Sequence, residues 1–182
     1  MKTQKLIVIA AIVCLLVGAS GAAMAEDEVC GLVDGIVNGN VTASGDCIIR
    51  GAIINGNVIA ELDPGESLVV KGAIVTGKIK VTGGSSWITT TILPAGAGAP
   101  NNRIVIESPD QSSYVGDNGI DEGDIVVRGS ATETEIAKVY INSNTVLNGD
   151  IKCVAGSETD TLATRNIVIQ GKVTCPGFRL QN

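Results

Sequence analysis

Ile36-Val-Asn-Gly-Asn-Val-Thr42, Ile53-Ile-Asn-Gly-Asn-Val-Ile59 and Ile74-Val-Thr-Gly-Lys-Ile-Lys80 are three renderings of one line. Their glycines, Gly39, Gly56 and Gly77, stand 17 and 21 residues apart. A second motif alternates with the first: apolar residues, a long polar residue, then Gly. It reads Cys47-Ile-Ile-Arg-Gly51 and Leu68-Val-Val-Lys-Gly72. Recurrence at about twenty residues is the mark of a repeat architecture. Short β-branched runs punctuated by Gly, Asn, Ser and Asp read as strands and turns, not helices. One such unit cannot bury its own apolar side; stacked units can, each strand lying about 4.8 Å from its counterpart in the next coil.

The expected fold is therefore an all-β, single-domain, right-handed parallel β-helix (a β-solenoid). Its coils run about 17–22 residues, with an irregular insertion at residues 94–124. A β-sandwich with Gly-rich turns is the competing reading. Alternation along the strands assigns the faces. Val41, Val58, Ile79 and Ile151 form one inward column; Ala43, Ala60, Val81 and Cys153 form the next. Asn40, Asn57, Lys78 and Asp150 point outward. The second motif supplies inward columns Cys47, Leu68, Ile125, Ile167 and Ile49, Val70, Val127, Ile169. Its glycines, Gly51, Gly72, Gly129 and Gly171, suit corners of positive φ.

The chain opens with Lys2 and Lys5, an apolar run from Leu6 to Val17 and Ala23-Met-Ala25 before Glu26-Asp-Glu28. That order reads as a secretory signal peptide over residues 1–25, removed to leave a domain over 26–182. The apolar run is short for a membrane span, so no integral membrane segment is expected after cleavage. Losing Lys2 and Lys5 from the 13 Lys and Arg leaves 11 against 19 acids. An acidic surface argues against nucleic acid. The chain has no His, and aromatics are 2% of it, which removes the commonest general base and the usual stacking platforms.

Cys30, Cys47, Cys153 and Cys175 remain, an even number for an exported chain. Cys153 and Cys175 each lie four residues beyond a repeat glycine, Gly149 and Gly171, and are 22 residues apart, one coil. Cys30 and Cys47 are 17 apart, again one coil. The expected disulfides are Cys30–Cys47 and Cys153–Cys175, each clamping a terminal coil and contributing about 3 kcal/mol by loop closure.

Three stretches invite a functional reading. With Cys47 and Ile49 inward, Ile48, Val69, Val126 and Val168 align outward as an apolar stripe, the candidate partner face. Arg50, Lys71 and Arg128 would line a basic ridge beside it. Asp117, Asp121, Glu122 and Asp124, packed among glycines, could ring a Ca²⁺ ion, although the spacing is not that of an EF-hand. No other cofactor is suggested. Trp87-Ile-Thr-Thr-Thr-Ile-Leu93 reads as a core or edge strand, with Trp87 packed laterally. Phe178 and Leu180 are placed to cap the last coil.

Val37-Asn-Gly-Asn-Val-Thr42, Gly45-Asp-Cys-Ile-Ile-Arg-Gly51 and the paired terminal cysteines resemble a family of secreted bacterial repeat proteins of unknown function. The resemblance covers residues 30–81 and 139–175 and implies a parallel β-helix. A weaker, architectural likeness is to bactofilins, whose β-helices polymerise end to end, but which lack a cleaved signal and disulfides.

The expected role is a secreted structural or surface-interaction scaffold without catalytic activity. Its partner is a protein or a second copy at the cell surface, outside the cell or in the periplasm. A Ca²⁺-dependent adhesion module is the first alternative. A carbohydrate-active β-helix enzyme, cutting with a carboxylate pair, is the second.

Overall fold

The computed structural model describes residues 28–89, 91–95, 102–107, 113–116, 119–129, 137–141, 144–154, 159–163, 167–175 and 178–180. The signal-peptide reading at residues 1–25 lies outside them. The described residues are all β: 23 short strands in three parallel sheets that the chain visits in rotation. The first sheet takes Val41–Ala43, Val58–Glu61, Ile79–Thr82 and their successors; the second takes Cys47–Arg50, Ser67–Lys71, Ser85–Thr89; the third takes Ile53–Ile54, Ile74–Val75, Ile92–Leu93. The first two sheets have eight strands and the third seven. Every strand pairs with its counterpart one coil away, so the chain is a parallel β-solenoid, as the period predicts.

In-register stacking puts like on like. Val41, Val58, Ile79, Ile104, Ile125 and Ile151 form one inward column of the first sheet, each 1% exposed or less. Ala43, Ala60, Val81, Ile106, Val127 and Cys153 form the next. In the second sheet Ile49, Val70, Ile88, Val115 and Ile141 fill the core.

The glycines of the first motif have a steric role. A Cβ on Gly56 would sit 2.0 Å from the carbonyl oxygen of Gly39, and one on Gly77 2.4 Å from that of Gly56. Gly149 over Gly123 and Gly171 over Gly149 repeat the approach at 2.0 and 2.1 Å. Only glycine lets successive coils approach so closely there. The residue after each glycine explains the Asn-Gly-Asn repeat. Its side-chain oxygen accepts the N–H of its counterpart one coil on: Asn57 onto Asn40 at 3.0 Å, Lys78 onto Asn57 at 3.0 Å, Asp150 onto Asp124 and Lys172 onto Asp150 at 2.8 Å. These residues, expected to point outward, are half-buried rungs of a corner ladder. Gly51 and Gly72 do take positive φ, 65° each, and a Cβ would meet nothing within 4 Å at Gly51 and only ordinary contact with Gly51 N, at 4.0 Å, at Gly72.

Three assignments made from the sequence are corrected. Ile125 and Val127 stack on Ile104 and Ile106 in the first sheet, and Ile169 stacks on Leu147 in the third, so neither belongs to the Cys47 and Ile49 columns. That level of the second sheet is filled instead by Leu68, Ser86, Ser113 and Val139. Gly171 accordingly belongs to the close-approach column of glycines and not to the positive-φ corners. Within the stretch 94–124, expected to be an irregular insertion, the described residues follow the coil: Asn102–Glu107, Ser113–Gly116 and Ile120–Asp121 each take a place in one of the three sheets. That coil is longer, with Ile79 pairing to Ile104, and the pattern is stretched rather than lost.

Both disulfides are present. Cys153 stacks on Cys175 in continuation of the Ile151–Val173 pair, with Cα atoms 4.7 Å apart. Cys30–Cys47, at 5.3 Å, differs: Leu32 pairs with Ile48, so the register partner of Cys47 is Gly31, and the bond crosses the corner from first to second sheet. Phe178 is half-buried against the end of the core, whereas Leu180 extends the second sheet beside Ala163.

The two glycine roles separate by mutation. Gly51→Ala is expected to cost about 1 kcal/mol, the left-handed penalty, and Gly51→Asn less. Gly56→Ala is expected to cost about 3 kcal/mol or more, because its Cβ meets backbone that cannot yield. Urea unfolding of the disulfide-bonded chain measures both; equal costs would refute the distinction.

Candidate functional site

A rigid stack of coils turns each outward position into a column. In the first sheet the column is Thr42, Ile59, Lys80, Val105, Val126 and Lys152. Beside it Glu107 takes both Lys80, at 2.9 Å, and Arg128. Burial works to raise the Glu107 carboxyl, but hydrogen bonds and charge from Lys80 and Arg128 outweigh it and hold the pKa below the ordinary range. Lys152 pairs with Asp124 and Asp150. This face is occupied by its own ion pairs.

The second sheet presents a different column: Leu32, Ile48 and Val69 continue into Trp87, Tyr114 and Tyr140. The three rings stack coil upon coil, Trp87 on Tyr114 at 5.6 Å between centroids and Tyr114 on Tyr140 at 5.1 Å, within 18° of parallel. The chain has only four aromatic residues, and the fold puts three of them in one outward line. Trp87 packs laterally on Tyr114 and is still 38% exposed. Ring-on-ring stacking is worth about 0.5–1.5 kcal/mol per pair beyond area. It also turns the ring faces toward each other, so the ladder offers a partner mainly ring edges.

The expected stripe is therefore half right. Ile48 and Val69 are neighbours on this face, Ile48 exposed and Val69 half-buried. Val126 instead lies on the first sheet and is covered, 5% exposed, and Val168 lies on the third sheet. Arg50 and Lys71 are register neighbours beside Ile48 and Val69, while Arg128 is on the first sheet with Glu107. The signal that sequence reading missed was a change of coil length: beyond Gly72 the ladder passes to Trp87, Tyr114 and Tyr140, which the second motif does not mark.

The third sheet carries an outward column made wholly of branched aliphatic residues. It runs Ile36, Ile53, Ile74, Ile92, Val146 and Val168, the strand Ile120–Asp121 pairing in register between the coils of Ile92 and Val146. Its inward neighbours are Val37, Ile54, Val75, Leu93, Leu147 and, at one coil only, Asp121.

Asp121 belongs to the set considered for calcium. Asp117 of that set lies outside the described residues. The other three diverge: Asp121 points into the core at 3% exposure, Glu122 accepts a hydrogen bond from Asn148 at 2.6 Å, and Asp124 is engaged by Asp150 N–H and Lys152. Among the described residues no cluster of three or more metal-ligating side chains forms. Both Asp121 oxygens lack a hydrogen-bond partner. The carboxyl lines a cavity of about 10 Å³ with Thr91 and Thr145, room for about one water. Burial pushes its pKa up to about 8, against the opposing pull of Arg103 and with added repulsion from Asp124 and Glu122.

Arg103 is fully buried, and its position has a cause. In the third sheet each coil donates an N–H to the coil before: Asn55 to Val37 O, Thr76 to Ile54 O, Glu122 to Leu93 O, Asn148 to Asp121 O. The residue that should donate to Val75 O is Pro94, which has no N–H. Arg103 Nη2 donates to Val75 O instead, at 2.9 Å, and Nη1 donates to Pro94 O at 3.3 Å. Arg103 is the extra residue at the register break between Asn102 and Ile104, and that break allows it to turn inward. Burial lowers its pKa and the nearby Asp121 raises it. The described part of the 94–124 stretch is thus a coil repaired around a proline.

Among the described residues no helix is long and apolar enough to cross a membrane. Compared with known families, curated proteins and solved structures, the chain finds no match.

Two outcomes follow for the buried groups. Arg103→Met is expected to cost about 2–4 kcal/mol by leaving Val75 O unpaired in the core, and less in a Pro94→Ala background, where a backbone N–H returns. Additive costs in the double-mutant cycle would refute the substitution of guanidinium for amide. For Asp121 the native state keeps a proton that the unfolded chain loses above 3.8, so stability falls as pH rises from there toward about 8. The slope is at most about 1.4 kcal/mol per pH unit. Asp121→Asn should match the parent at pH 4 and exceed its Tm increasingly up to pH 8; a constant difference would exclude this proton.

Proposed function

We propose that this chain is a secreted, non-catalytic scaffold that holds a partner at the cell surface through the outward face of its second sheet. The observation that carries the reading is the Leu32–Ile48–Val69–Trp87–Tyr114–Tyr140 column. Side chains of this kind, contiguous and outward on a rigid sheet, favour association, and Trp and Tyr concentrate binding energy when a partner desolvates them. Arg50 and Lys71 flank the column on a chain of net charge −6, which favours a partner with acidic groups opposite them. Two disulfides clamp the first and last coils and suit an oxidising compartment. A preordered face loses little entropy on binding.

The test is retention. The wild-type chain and an Ile48→Asp/Val69→Asp variant are produced from the same cells, and the amounts on washed cells and in the medium are compared. Both positions face outward, so the variant should keep the wild-type Tm within a few degrees. It should lose surface retention at least ten-fold. Equal retention of a folded variant would remove this face, and release of the wild type into the medium would remove the role.

A further inference from the structure

The inner corner between the second and third sheets is a column with one side chain missing. The residue before each third-sheet strand occupies that corner: Ala52, Ala73, Thr91, Gly119, Thr145 and Ile167 stand one coil apart. Backbone rungs follow the same order. Ile74 N–H donates to Ala52 O, Ile92 N–H to Ala73 O, Val146 N–H to Gly119 O and Val168 N–H to Thr145 O. Ala52, Ala73, Thr91 and Thr145 are each 2% exposed or less. Gly119 places nothing between the two threonines.

Neither reason that fixes glycine at Gly56 or at Gly51 applies to Gly119. Its φ is not left-handed. A Cβ there would stand 3.4 Å from Thr91 O and 3.6 Å from Gly116 O, ordinary contact distances. Alanine therefore fits, and it would lose less chain entropy on folding than glycine does. What glycine leaves is space. The cavity of about 10 Å³ lies at this level and is lined by Gly119, Thr91, Thr145 and Asp121 among apolar neighbours. Asp121 follows Gly119 by two residues, is 3% exposed, and has no hydrogen-bond partner on either carboxyl oxygen.

We propose that this cavity is a binding site for one water molecule, held where the side chain is missing at Gly119. Three properties point to water. The space admits about one water and no organic ligand. The lining supplies both kinds of partner: the Asp121 acid donates its O–H to the water, and the water donates to Thr91 Oγ1. That hydroxyl directs its own proton to Thr89 O at 3.0 Å and Val70 O at 3.3 Å, which leaves its lone pairs to accept. A cation is disfavoured by the charges around it. Asp121, repelled by Asp124 and Glu122 and desolvated in the core, is neutral at pH 6, and the Arg103 guanidinium already bears on this carboxyl. Arg103 itself donates to Val75 O and Pro94 O and does not line the cavity. Without the water, a buried acid would carry the full cost of an unmade hydrogen bond.

Oxygen-17 relaxation dispersion of water, which counts long-lived internal waters, tests the site on the full disulfide-bonded chain at pH 6. The parent should hold one more such water than Gly119→Ala. Displacing that water strands the Asp121 acid, so Gly119→Ala should lower the Tm by about 3 °C or more although it fills a cavity. Asp121→Leu, which matches Leu93 and Leu147 in its column, removes the polar partner and should also lose one water. In that background Gly119→Ala should no longer lower the Tm. If Gly119→Ala does not fold, the count in Asp121→Leu decides alone. An equal count in the parent and the folded variants would overturn the proposal, as would a Gly119→Ala chain more stable than the parent. A Tm raised by sodium chloride over choline chloride at equal ionic strength, and not in Asp121→Leu, would put a cation in the cavity and overturn it too.

Discussion

The close seating of one coil on the next, glycine over glycine carbonyl, is the constraint from which the rest of this structure descends. Gly56 over Gly39, Gly77 over Gly56, Gly149 over Gly123 and Gly171 over Gly149 leave no room for a Cβ. This contact sets the level at which the following strand starts. Once that level is set, the alternation of the strand decides which side chains enter the core, and a slip of one residue would turn Val41, Val58 and Ile79 outward together. The side-chain oxygens of Asn40, Asn57, Asp124 and Asp150 then satisfy backbone N–H groups that the turn leaves free. A buried backbone donor without a partner would cost about as much as a lost hydrogen bond.

Where the stacking is interrupted, the chain repairs it locally. Pro94 removes one rung of the third sheet, and the extra residue Arg103 supplies a donor to the stranded carbonyl. The repair brings a guanidinium into an aliphatic core, and Asp121 lies near enough to bear on it electrostatically. A buried guanidinium is expensive, and the carbonyl oxygens of Val75 and Pro94 offset part of that cost, while Asp121, its pKa pushed up to about 8, keeps its proton at neutral pH. Pro94 and Arg103, which look unrelated in sequence, are thereby linked, and Asp121 points inward because its register places it between Leu93 and Leu147.

Like-on-like stacking also decides what the surface can offer. One outward residue becomes a column, so a weak preference becomes a surface. The first sheet spends its outward positions on ion pairs that include Lys80, Glu107 and Arg128. The second collects the aromatic rings into a ladder, and the third collects branched aliphatics. The two apolar faces therefore differ in chemistry: one is aromatic beside cations, the other aliphatic and nearly uncharged.

The sequence by itself determined the solenoid, the inward columns of the early coils and both cysteine pairings. Spacings of 17 and 21 residues, each one full coil, return each marked side chain to the same place on the coil. Only the tertiary structure decided which sheet each later strand joined. A period-two alternation looks the same in all three sheets, and when Ile79 pairs with Ile104 and Ile125 with Ile151 the longer coils no longer reveal the phase. That is why Val126 and Val168 fell on other faces from Ile48, and why the ladder of Trp87, Tyr114 and Tyr140 could not be read along the chain. Its members are separated by 27 and 26 residues, and the backbone alone brings them within stacking distance.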